Sequence, residues 1–504
     1  MIDYRSLVSE IESGLKNESS RLQDSRDNRR FADGHFEEYP TRVENASGER
    51  ADYRRTTRLF GRIADVLTQH LYKRPPTRTI ANHPQATEWL RRLYRRRAVD
   101  AKWAEADRLT VIGDVAALQF AGSDDPASPL LCHLWPADQL VVWTDPDDPT
   151  EAEAVATLDF YDASRRLTLW TEETRATFVT PKQGATQTQG GTAWRLVREE
   201  PNPYRTADGS EGLLPFAFAH FRFPTTDFWQ GGPGNGLRRF NDHVNYRLDS
   251  SGDALRFSRF PIGVASGTDP SWTPPTQVKP GMFLRLPGDP GDAAGNGQTQ
   301  ANLSYLTPPL GWVESDWMDL NSYIDRCLED EGIPPGTIRL SNQATSGVQL
   351  IVEQAPLLAW AEARRVPFGR YEERAAKTAI AVAASHLRNN GRPDAMLEAA
   401  AADPDFALGM HWAPLYVQLP GPERDRTDEW RLEMGFASKL QLLMEREDLT
   451  REQALEQLRQ VQADNAELLT LGVEPGKPLP ILPPPLAGND PTNRGKAVVP
   501  PNPA

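Results

Sequence analysis

The chain has 504 residues, of which 39% are hydrophobic and 25% charged, and its formal net charge at pH 7 is -14. This length predicts two or three structural units, and the composition excludes a wholly disordered chain. The negative charge argues against a protein that binds DNA by neutralising phosphates, because that mode needs a clustered basic surface, but it is compatible with a conduit along which DNA slides.

The N-terminal part of the chain is predicted to be helical. Apolar residues at helical spacing over residues 53–72 indicate an amphipathic helix that ends before Pro75 and Pro76. A second helix is predicted over residues 86–93 and a third over residues 99–120. The inward face of the third helix is expected to consist of Trp103, Leu109, Ile112, Val115 and Leu118.

The next part of the chain has the composition of β-strands. Short runs rich in β-branched and aromatic residues are separated by Pro, Asp, Gly and Ser, which indicates a mostly antiparallel sheet. The predicted strands are residues 130–135, 139–143, 154–161, 166–170, 176–180, 194–197 and 215–221. A glycine-rich break at residues 231–236 follows.

Two further helices are predicted to bracket a small β-rich insertion. The first covers residues 237–257 and the second residues 312–328, where apolar residues again recur at helical spacing. The insertion, residues 261–309, is expected to contain strands at 262–265 and 282–286 and a flexible loop at 288–302.

The C-terminal half begins with a polar stretch at residues 339–347, which leads into a long helix over residues 348–388. Pro356 and Pro367 are expected to kink this helix. Residues 406–419 are strand-like. The remaining predicted elements are amphipathic helices at 425–445 and 450–468 and a Pro-rich, extended tail at 473–504.

Motifs of catalysis and cofactor binding are missing from the sequence. The histidines form no HExxH spacing, and His133, His220, His243 and His411 each lie beside large apolar residues, which favours core or interface positions. There is no phosphate-binding GxxxxGK[ST] sequence, no GxSxG elbow, and no dinucleotide-site context around glycines 231–236. We therefore predict that the protein is not an enzyme and uses no cofactor and no metal.

The densest acidic group consists of Asp145, Asp147, Asp148 and Glu151. Several oxygens close together are what a hard cation requires. The group lacks the glycine and terminal glutamate of a calcium loop, however, and it contains two prolines. A solvated turn is the favoured interpretation, and cation binding stays open.

Cysteine usage and the N-terminus indicate synthesis in a cytoplasm. Cys132 and Cys327 are far apart and form no CxxC spacing, which favours unpaired thiols. No basic segment followed by an apolar run opens the chain, so no secretory signal is expected. No stretch approaches the roughly 18 apolar residues of a membrane span, so no membrane partner is expected.

The order of these features resembles the portal proteins of tailed bacteriophages and related gene-transfer particles. Leu214-Pro215-Phe216, followed by a helix with Asn241, Asn245 and Leu248, is similar to the entry into that family's first stem helix. The other resembling segments, covering a clip, a second stem helix, a tunnel loop with the start of a wing helix, and crown elements, are residues 261–309, 312–328, 341–350, 412–420 and 423–468. The resemblance extends over about residues 53–468.

The resemblance implies an α+β fold with portal-protein architecture. Its expected parts are an N-terminal arm (1–50), an α+β wing (51–232), a first stem helix (233–257), a clip (258–311), a second stem helix (312–332), a tunnel loop (333–347), a long kinked helix with a wing strand (348–424), a helical crown (425–472) and a flexible tail (473–504).

The resemblance also implies a homo-oligomeric ring, a dodecamer, at one vertex of a virion capsid. Double-stranded DNA would pass through the ring during genome packaging and ejection, and terminase, head-completion or neck (adaptor) proteins and the major capsid protein would be its partners. The tunnel-loop residues expected to face DNA are Arg339, Ser341, Asn342, Gln343, Thr345 and Ser346. Arg238 and Arg239 are candidate residues of the stem lumen. For these two arginines and for Arg339, an intersubunit ion pair is favoured over a contact with DNA.

Two other functions are compatible with parts of the sequence. A head-neck connector or minor capsid protein is one, although such chains are usually shorter and lack a β insertion between helices. A DNA-processing packaging enzyme, such as a nuclease or ATPase, is the other. The missing phosphate loop and the isolated carboxylate cluster weigh against it.

Overall fold

The computed structural model describes residues 13–35, 56–125, 129–161, 164–180, 194–206, 209, 211–259, 262–266, 283–286, 302–306, 311–330, 333, 347–413, 415, 421–435, 438–447 and 451–470. The chain divides into two units, residues 1–419 and residues 420–504. The fold is of the mixed α+β kind that the sequence predicts.

The first unit contains both helices and strands. Its helices are α1 (Ser19–Ala32), α2 (Leu59–Thr68), α3 (Pro84–Arg97), α4 (Val99–Gly113), α5 (Gly234–Arg259), α6 (Gly311–Asp330), α7 (Gly347–Asn389) and α8 (Ala395–Ala402). Its strands are β1 (Thr77–Ile80), β2 (Val115–Gly122), β3 (Leu130–Pro136), β4 (Leu140–Thr144), β5 (Ala152–Tyr161), β6 (Ser164–Trp170), β7 (Thr174–Val179), β8 (Arg195–Pro201), β9 (Phe216–His220), β10 (Ile262–Ser266), β11 (Phe283–Leu286), β12 (Asn302–Leu306) and β13 (Leu408–His411).

Strand β2 is the middle of a three-stranded antiparallel sheet in the order β3-β2-β9. Its residues 115–120 are all buried. Helices α4 and α7 both contact this sheet, so the largest hydrophobic core of the unit lies between the sheet and these helices. The bulky side chains Trp103, Phe120 and Phe368 are fully buried there.

A second antiparallel sheet follows in the chain, with the strand order β4-β5-β6-β7-β8. Val141, Leu167 and Phe178 form a separate hydrophobic cluster on this sheet, and Leu22 of α1 packs into it. The prediction of a mostly antiparallel β region is confirmed, but the strands are divided between two sheets.

The insertion between α5 and α6 contains a three-stranded sheet in the order β11-β10-β12. Strand β10 is parallel to β11 and antiparallel to β12. Strands β10 and β11 match the sequence prediction. Strand β12 was not predicted, because the polar residues before it made residues 288–302 resemble a loop without indicating where the loop ends.

The predicted helix over residues 99–120 is wrong in its second half. Helix α4 ends at Gly113, and Asp114 adopts a positive φ of 77° that stops the helix. Val115 and Leu118 lie on β2, not on a helix face. A strand buried on both faces reads as a continuous apolar run, and helical periodicity alone cannot distinguish it from a helix.

Several short elements were also not predicted from the sequence. They are helices α1 and α8 and strand β1, which pairs with β13 over more than 300 residues of sequence. The long helix α7 was predicted, and it continues through both Pro356 and Pro367.

The second unit contains helices α9 (Gly421–Glu433), α10 (Lys439–Glu447) and α11 (Arg451–Thr470). The predicted single helix over residues 425–445 is therefore wrong, because it is two helices separated by Gly435 with a φ of 73°. The hydroxyl of Ser438 accepts a hydrogen bond from the Gln441 backbone N–H and so caps the start of α10. Residues 471–504, which include the predicted tail, lie outside the described residues.

Candidate functional site

Helices α5 and α6 pack against each other on either side of the small β10–β12 insertion in the chain. Tyr323 of α6 lies against Phe240 and His243 of α5, with ring centroids 5.5 Å and 5.2 Å apart. Val244 and Leu320 are buried in the same hydrophobic cluster. The apolar residues of the two helices therefore pack against each other. We call α5 and α6 together the helix pair.

A polar network also joins the helix pair. Arg247 of α5 donates to Asp319 of α6 at 2.8 Å and to Asp316 through its second terminal nitrogen. The hydroxyl of Ser251 donates to the other oxygen of Asp316. These hydrogen bonds, from Ser251 and then from Arg247, lower the pKa of Asp316. The ionised pair is thus the stable state at neutral pH.

The N-terminal half of α5 is attached to helix α2 by two buried asparagines. The Asn241 amide oxygen accepts from the Phe60 backbone N–H at 2.8 Å, and its NH2 group donates to the Thr57 carbonyl at 2.9 Å. The Asn245 oxygen accepts from the Thr57 N–H at 2.8 Å. Helix starts leave N–H groups without partners inside the helix, so these asparagines supply the cap that α2 lacks in its own sequence.

The glycine-rich break before α5 has a steric explanation. A side chain at Gly234 would place its Cβ 2.0 Å from the Ile112 carbonyl oxygen, and Gly231 has a positive φ of 77°. The Gly231 N–H donates to the carboxylate of Asp114 at 2.9 Å. These glycines therefore allow α5 to start directly against the end of α4. Burial raises the pKa of Asp114 to about 6.

The candidate lumen residues Arg238 and Arg239 differ in their surroundings. Arg238 is largely buried and pairs with Asp24 and Asp27 of α1 in the same chain, at 3.2 Å and 3.6 Å. Arg239, the next residue on the same helix, is exposed. Of the two, Arg239 has the exposure that a contact with another molecule requires.

The candidate tunnel-loop residues lie outside the described residues. They are Arg339, Ser341, Asn342, Gln343, Thr345 and Ser346. Helix α7 begins directly after them, at Gly347.

Helix α7 is fastened to the rest of the unit by two buried ion pairs. Arg364 donates to Asp107 of α4 at 2.7 Å and to the Phe221 carbonyl at 3.1 Å. Glu372 is fully buried and pairs with Arg78. These ion pairs were not predicted from the sequence. The available signal was a charged residue, Asp107, at a core-facing position of an amphipathic helix.

The hydroxyls of Tyr72 and Tyr94 complete the surroundings of Glu372. They donate to its two carboxylate oxygens at 2.7 Å and 3.2 Å. Burial raises the pKa of both tyrosines well above the usual range, so both remain proton donors. Such a carboxylate, saturated with donors, has a structural role, because no lone pair is left facing a substrate.

The acidic group at residues 145–151 forms a turn, as the favoured interpretation predicts. Asp145 accepts from the Asp147 N–H at 2.8 Å, and Asp148 accepts from the Thr150 N–H at 3.0 Å. Glu151 pairs with Arg374 of α7. Among the residues that the structure describes, no group of three His, Cys, Asp or Glu side chains is placed to hold a metal ion.

The histidines and cysteines occupy varied positions. His220 is buried, as the prediction of a core or interface position expects. His133, His243 and His411 are exposed, so only an interface position stays as a prediction for them. Cys132 is buried and Cys327 half-buried, and no disulfide joins them. None of the described helices combines the length and the apolar character that crossing a bilayer would demand.

Several large apolar side chains on the helix pair are exposed. Tyr246 of α5 is 39% exposed, and Trp317 and Met318 of α6 are 38% and 67% exposed. Helix α6 carries six acidic residues and one arginine, whereas α5 carries five arginines and three aspartates. The two helices therefore differ in charge as well as leaving apolar surface exposed.

Comparison with known proteins finds a likeness only at the level of structure. No family model and no curated protein matches the sequence. A chain of the "Virion of native gene transfer agent (GTA) particle" is 12% identical, with a TM-score of 0.37 over 90% of this chain and 94% of that chain. A chain of the "Neck of empty GTA particle computed with C6 symmetry" is 12% identical, with a TM-score of 0.34 over 82% and 90%. At these TM-scores the likeness supports no conclusion about function.

Proposed function

We propose that the protein is the portal subunit of a tailed phage or a gene-transfer particle. Copies of it form a ring at one capsid vertex, and double-stranded DNA passes through the ring during packaging and ejection. Terminase and neck proteins dock on the ring. The observation that carries this proposal is the helix pair, which brackets a small β-sheet and exposes Trp317 and Met318.

The exposed surface of the helix pair favours lateral association of copies. Large apolar side chains that stay exposed are typical of protein interfaces. The acidic α6 of one copy and the more basic α5 of the next have complementary charge. In a closed ring the same two surfaces meet at every subunit boundary, so one complementary pair suffices for the whole assembly.

The other elements are assigned by the resemblance. Under this proposal, α5 and α6 are the stem helices, β10–β12 the clip, α7 the wing helix and α9–α11 the crown. Residues 333–347 are assigned as the loop that faces DNA, and Arg239 contacts either DNA or a neighbouring subunit. The overall charge of -14 is compatible with a channel that does not bind phosphate tightly.

Electron microscopy of the purified full-length protein tests the ring. We expect rings of twelve or thirteen subunits. The double substitution Trp317→Glu with Met318→Glu places charge on the proposed boundary and is expected to leave folded monomers. As a matched control, Val197→Glu changes an apolar residue that is 62% exposed on β8, away from the helix pair, and rings are expected to persist.

Two results would contradict the ring. One is that the unaltered protein stays monomeric or dimeric at all salt and protein concentrations. The other is that rings form normally from the Trp317→Glu, Met318→Glu variant. Circular dichroism of each variant reports whether its secondary structure is retained.

Transport of DNA is tested separately. Deletion of residues 342–346 is expected to leave ring assembly intact and to reduce the amount of DNA packaged or retained in particles. Unchanged packaging would contradict the assignment of this segment as the DNA-facing loop. It would not contradict the formation of a ring.

A further inference from the structure

A cavity of about 450 Å³ lies between β9, the segment that follows it, and α7. Its walls combine aliphatic, polar and aromatic residues, and the aromatic ones include Phe216, Phe218, Phe228 and Tyr371. Phe218 and Phe228 pack edge to face with ring centroids 5.0 Å apart. Cavities of this size with aromatic walls and a few polar groups are typical of ligand sites and of pockets that receive an anchor side chain.

One buried polar atom at this cavity lacks a partner. His220 is only 4% exposed, and its Nδ1 has no hydrogen-bond partner within the described part of the chain. The Tyr371 hydroxyl lies beside the His220 backbone. An unsatisfied buried polar group is unfavourable, so an occupant that offers a hydrogen-bond partner to His220 would relieve it.

A stripe of basic residues runs along α7 at the mouth of the cavity. Arg370, Arg374 and Lys377 follow each other at helical spacing and so lie on one face. The Arg370 guanidinium lies 5.3 Å from the ring centroid of Phe223, which also lines the cavity. Arg374 pairs with Glu151 at 2.9 Å, but both side chains are more than half exposed. Such a pair is weak and can exchange partners.

The positive charge of the basic stripe favours an acidic occupant. Arg370 and Lys377 are separated by seven residues, which is about 10 Å along a helix. One small carboxylate cannot reach both ends of this stripe. An extended peptide can, because residues two apart lie about 7 Å from each other and residues four apart about 13 Å.

We propose that this cavity binds a partner protein through an aromatic side chain flanked by acidic residues. The aromatic ring occupies the space between Phe218, Phe228 and Tyr371. The acidic residues on either side of it pair with Arg370, Arg374 and Lys377, and a polar group of the peptide bonds to His220. This site belongs to the first unit alone and does not depend on ring formation.

Peptide binding to the full-length protein tests the proposal. The probe is a capped peptide of sequence GDEFEDG, titrated by calorimetry. Two matched peptides, GDEAEDG without the ring and GNQFQNG without the charges, are expected to bind at least tenfold more weakly. The small acid 3-phenylpropionate has the ring and one carboxylate, and it is expected to bind more weakly than the parent peptide.

Variants connect the binding to this cavity. Ala381→Trp fills the cavity from α7 and is expected to reduce affinity at least tenfold. Arg374→Gln with Lys377→Gln leaves the cavity open and is expected to weaken GDEFEDG at least fivefold while leaving GNQFQNG unchanged. Arg198→Gln, on strand β8 that does not line the cavity, is the control, and its affinity is expected to stay within twofold.

The proposal is overturned if GDEAEDG binds as tightly as GDEFEDG, or if both sets of cavity substitutions leave the affinity unchanged. Tighter binding of 3-phenylpropionate than of the peptide would make the cavity a small-molecule site instead. The charge variant changes exposed residues only, so it still decides the question if Ala381→Trp does not fold.

Discussion

Arg247 on α5 and Asp316 on α6 form the ion pair that joins the two helices bracketing the β10–β12 sheet. The Ser251 hydroxyl donates a hydrogen bond to the second oxygen of the Asp316 carboxylate. An aromatic contact between Phe240 and Tyr323 lies nearer the start of α5. Apolar packing therefore stabilises the helix pair near the start of α5, and the ion pair stabilises it further along that helix.

The substitution Arg247→Met is expected to loosen the helix pair locally. Asp316 and Asp319 would lose their partner, at a cost of about 1 kcal/mol because the pair is partly exposed. Hydrogen exchange of α5 and α6 amides should then be roughly fivefold faster, with core amides of β2 unchanged. Arg239→Met, an exposed arginine on the same helix, is the control. Equal exchange in the two variants would show that the ion pair contributes nothing.

The substitution Glu372→Gln is expected to be strongly destabilising. It leaves the Arg78 guanidinium, which donates to Glu372 at 2.8 Å, without its principal counter-charge. Breaking a buried pair by removing one partner costs about 3–5 kcal/mol. Chemical denaturation measures the free energy of unfolding. The double variant Glu372→Gln with Arg78→Met removes both charges, keeps an amide oxygen as acceptor for a tyrosine hydroxyl, and should recover part of the loss. A single variant as stable as the parent protein would refute the argument.

The substitution Asn241→Leu keeps the size of the side chain but removes both of its hydrogen bonds. The Phe60 N–H and the Thr57 carbonyl would then be buried without partners, at a cost of about 1–3 kcal/mol. Thermal unfolding should show a lower midpoint. Asn321→Leu, at an exposed position of α6, is the control and should change the midpoint little. Equal effects of the two substitutions would show that capping of α2 by Asn241 is unimportant.

The stability of the protein is expected to depend on pH through Asp114. Burial raises the pKa of Asp114 to about 6 in the folded state, above the value of about 3.9 in an unfolded chain. The folded state therefore holds an extra proton between about pH 4 and pH 6. The stabilisation from Asp114 is fully present below this window and is lost as the pH rises through it.

The variant Asp114→Asn isolates this effect, because Asn stays neutral and tolerates a positive φ. The unfolding free energy of the parent protein relative to the variant should be about 1–3 kcal/mol larger at pH 4.5 than at pH 7.5. Burial lowers the pKa of His220 to about 4, which gives the opposite slope, but this contribution is common to both proteins and cancels. A difference that does not change with pH would contradict the raised pKa.

Much of the element order follows from local sequence patterns. The two helices that bracket a β-rich insertion, the run of antiparallel strands and the long helix α7 were predicted, because periodicity and turn residues act over a few neighbouring residues. Strand β2 was mistaken for helix because residues 115–120 are buried on both faces. Only the pairing with β3 and β9 makes this segment a strand.

The candidate sites depend on contacts that no local pattern contains. Asn241 and Asn245 were noted in the sequence, yet their partners, Thr57 and Phe60, lie more than 180 residues away. Glu372 meets Arg78 across 294 residues. The aromatic cavity likewise combines β9 with α7. Composition and periodicity determined the order of most helices and strands. Only the tertiary structure decided which buried charges and rings meet, because their energies depend on distance in space.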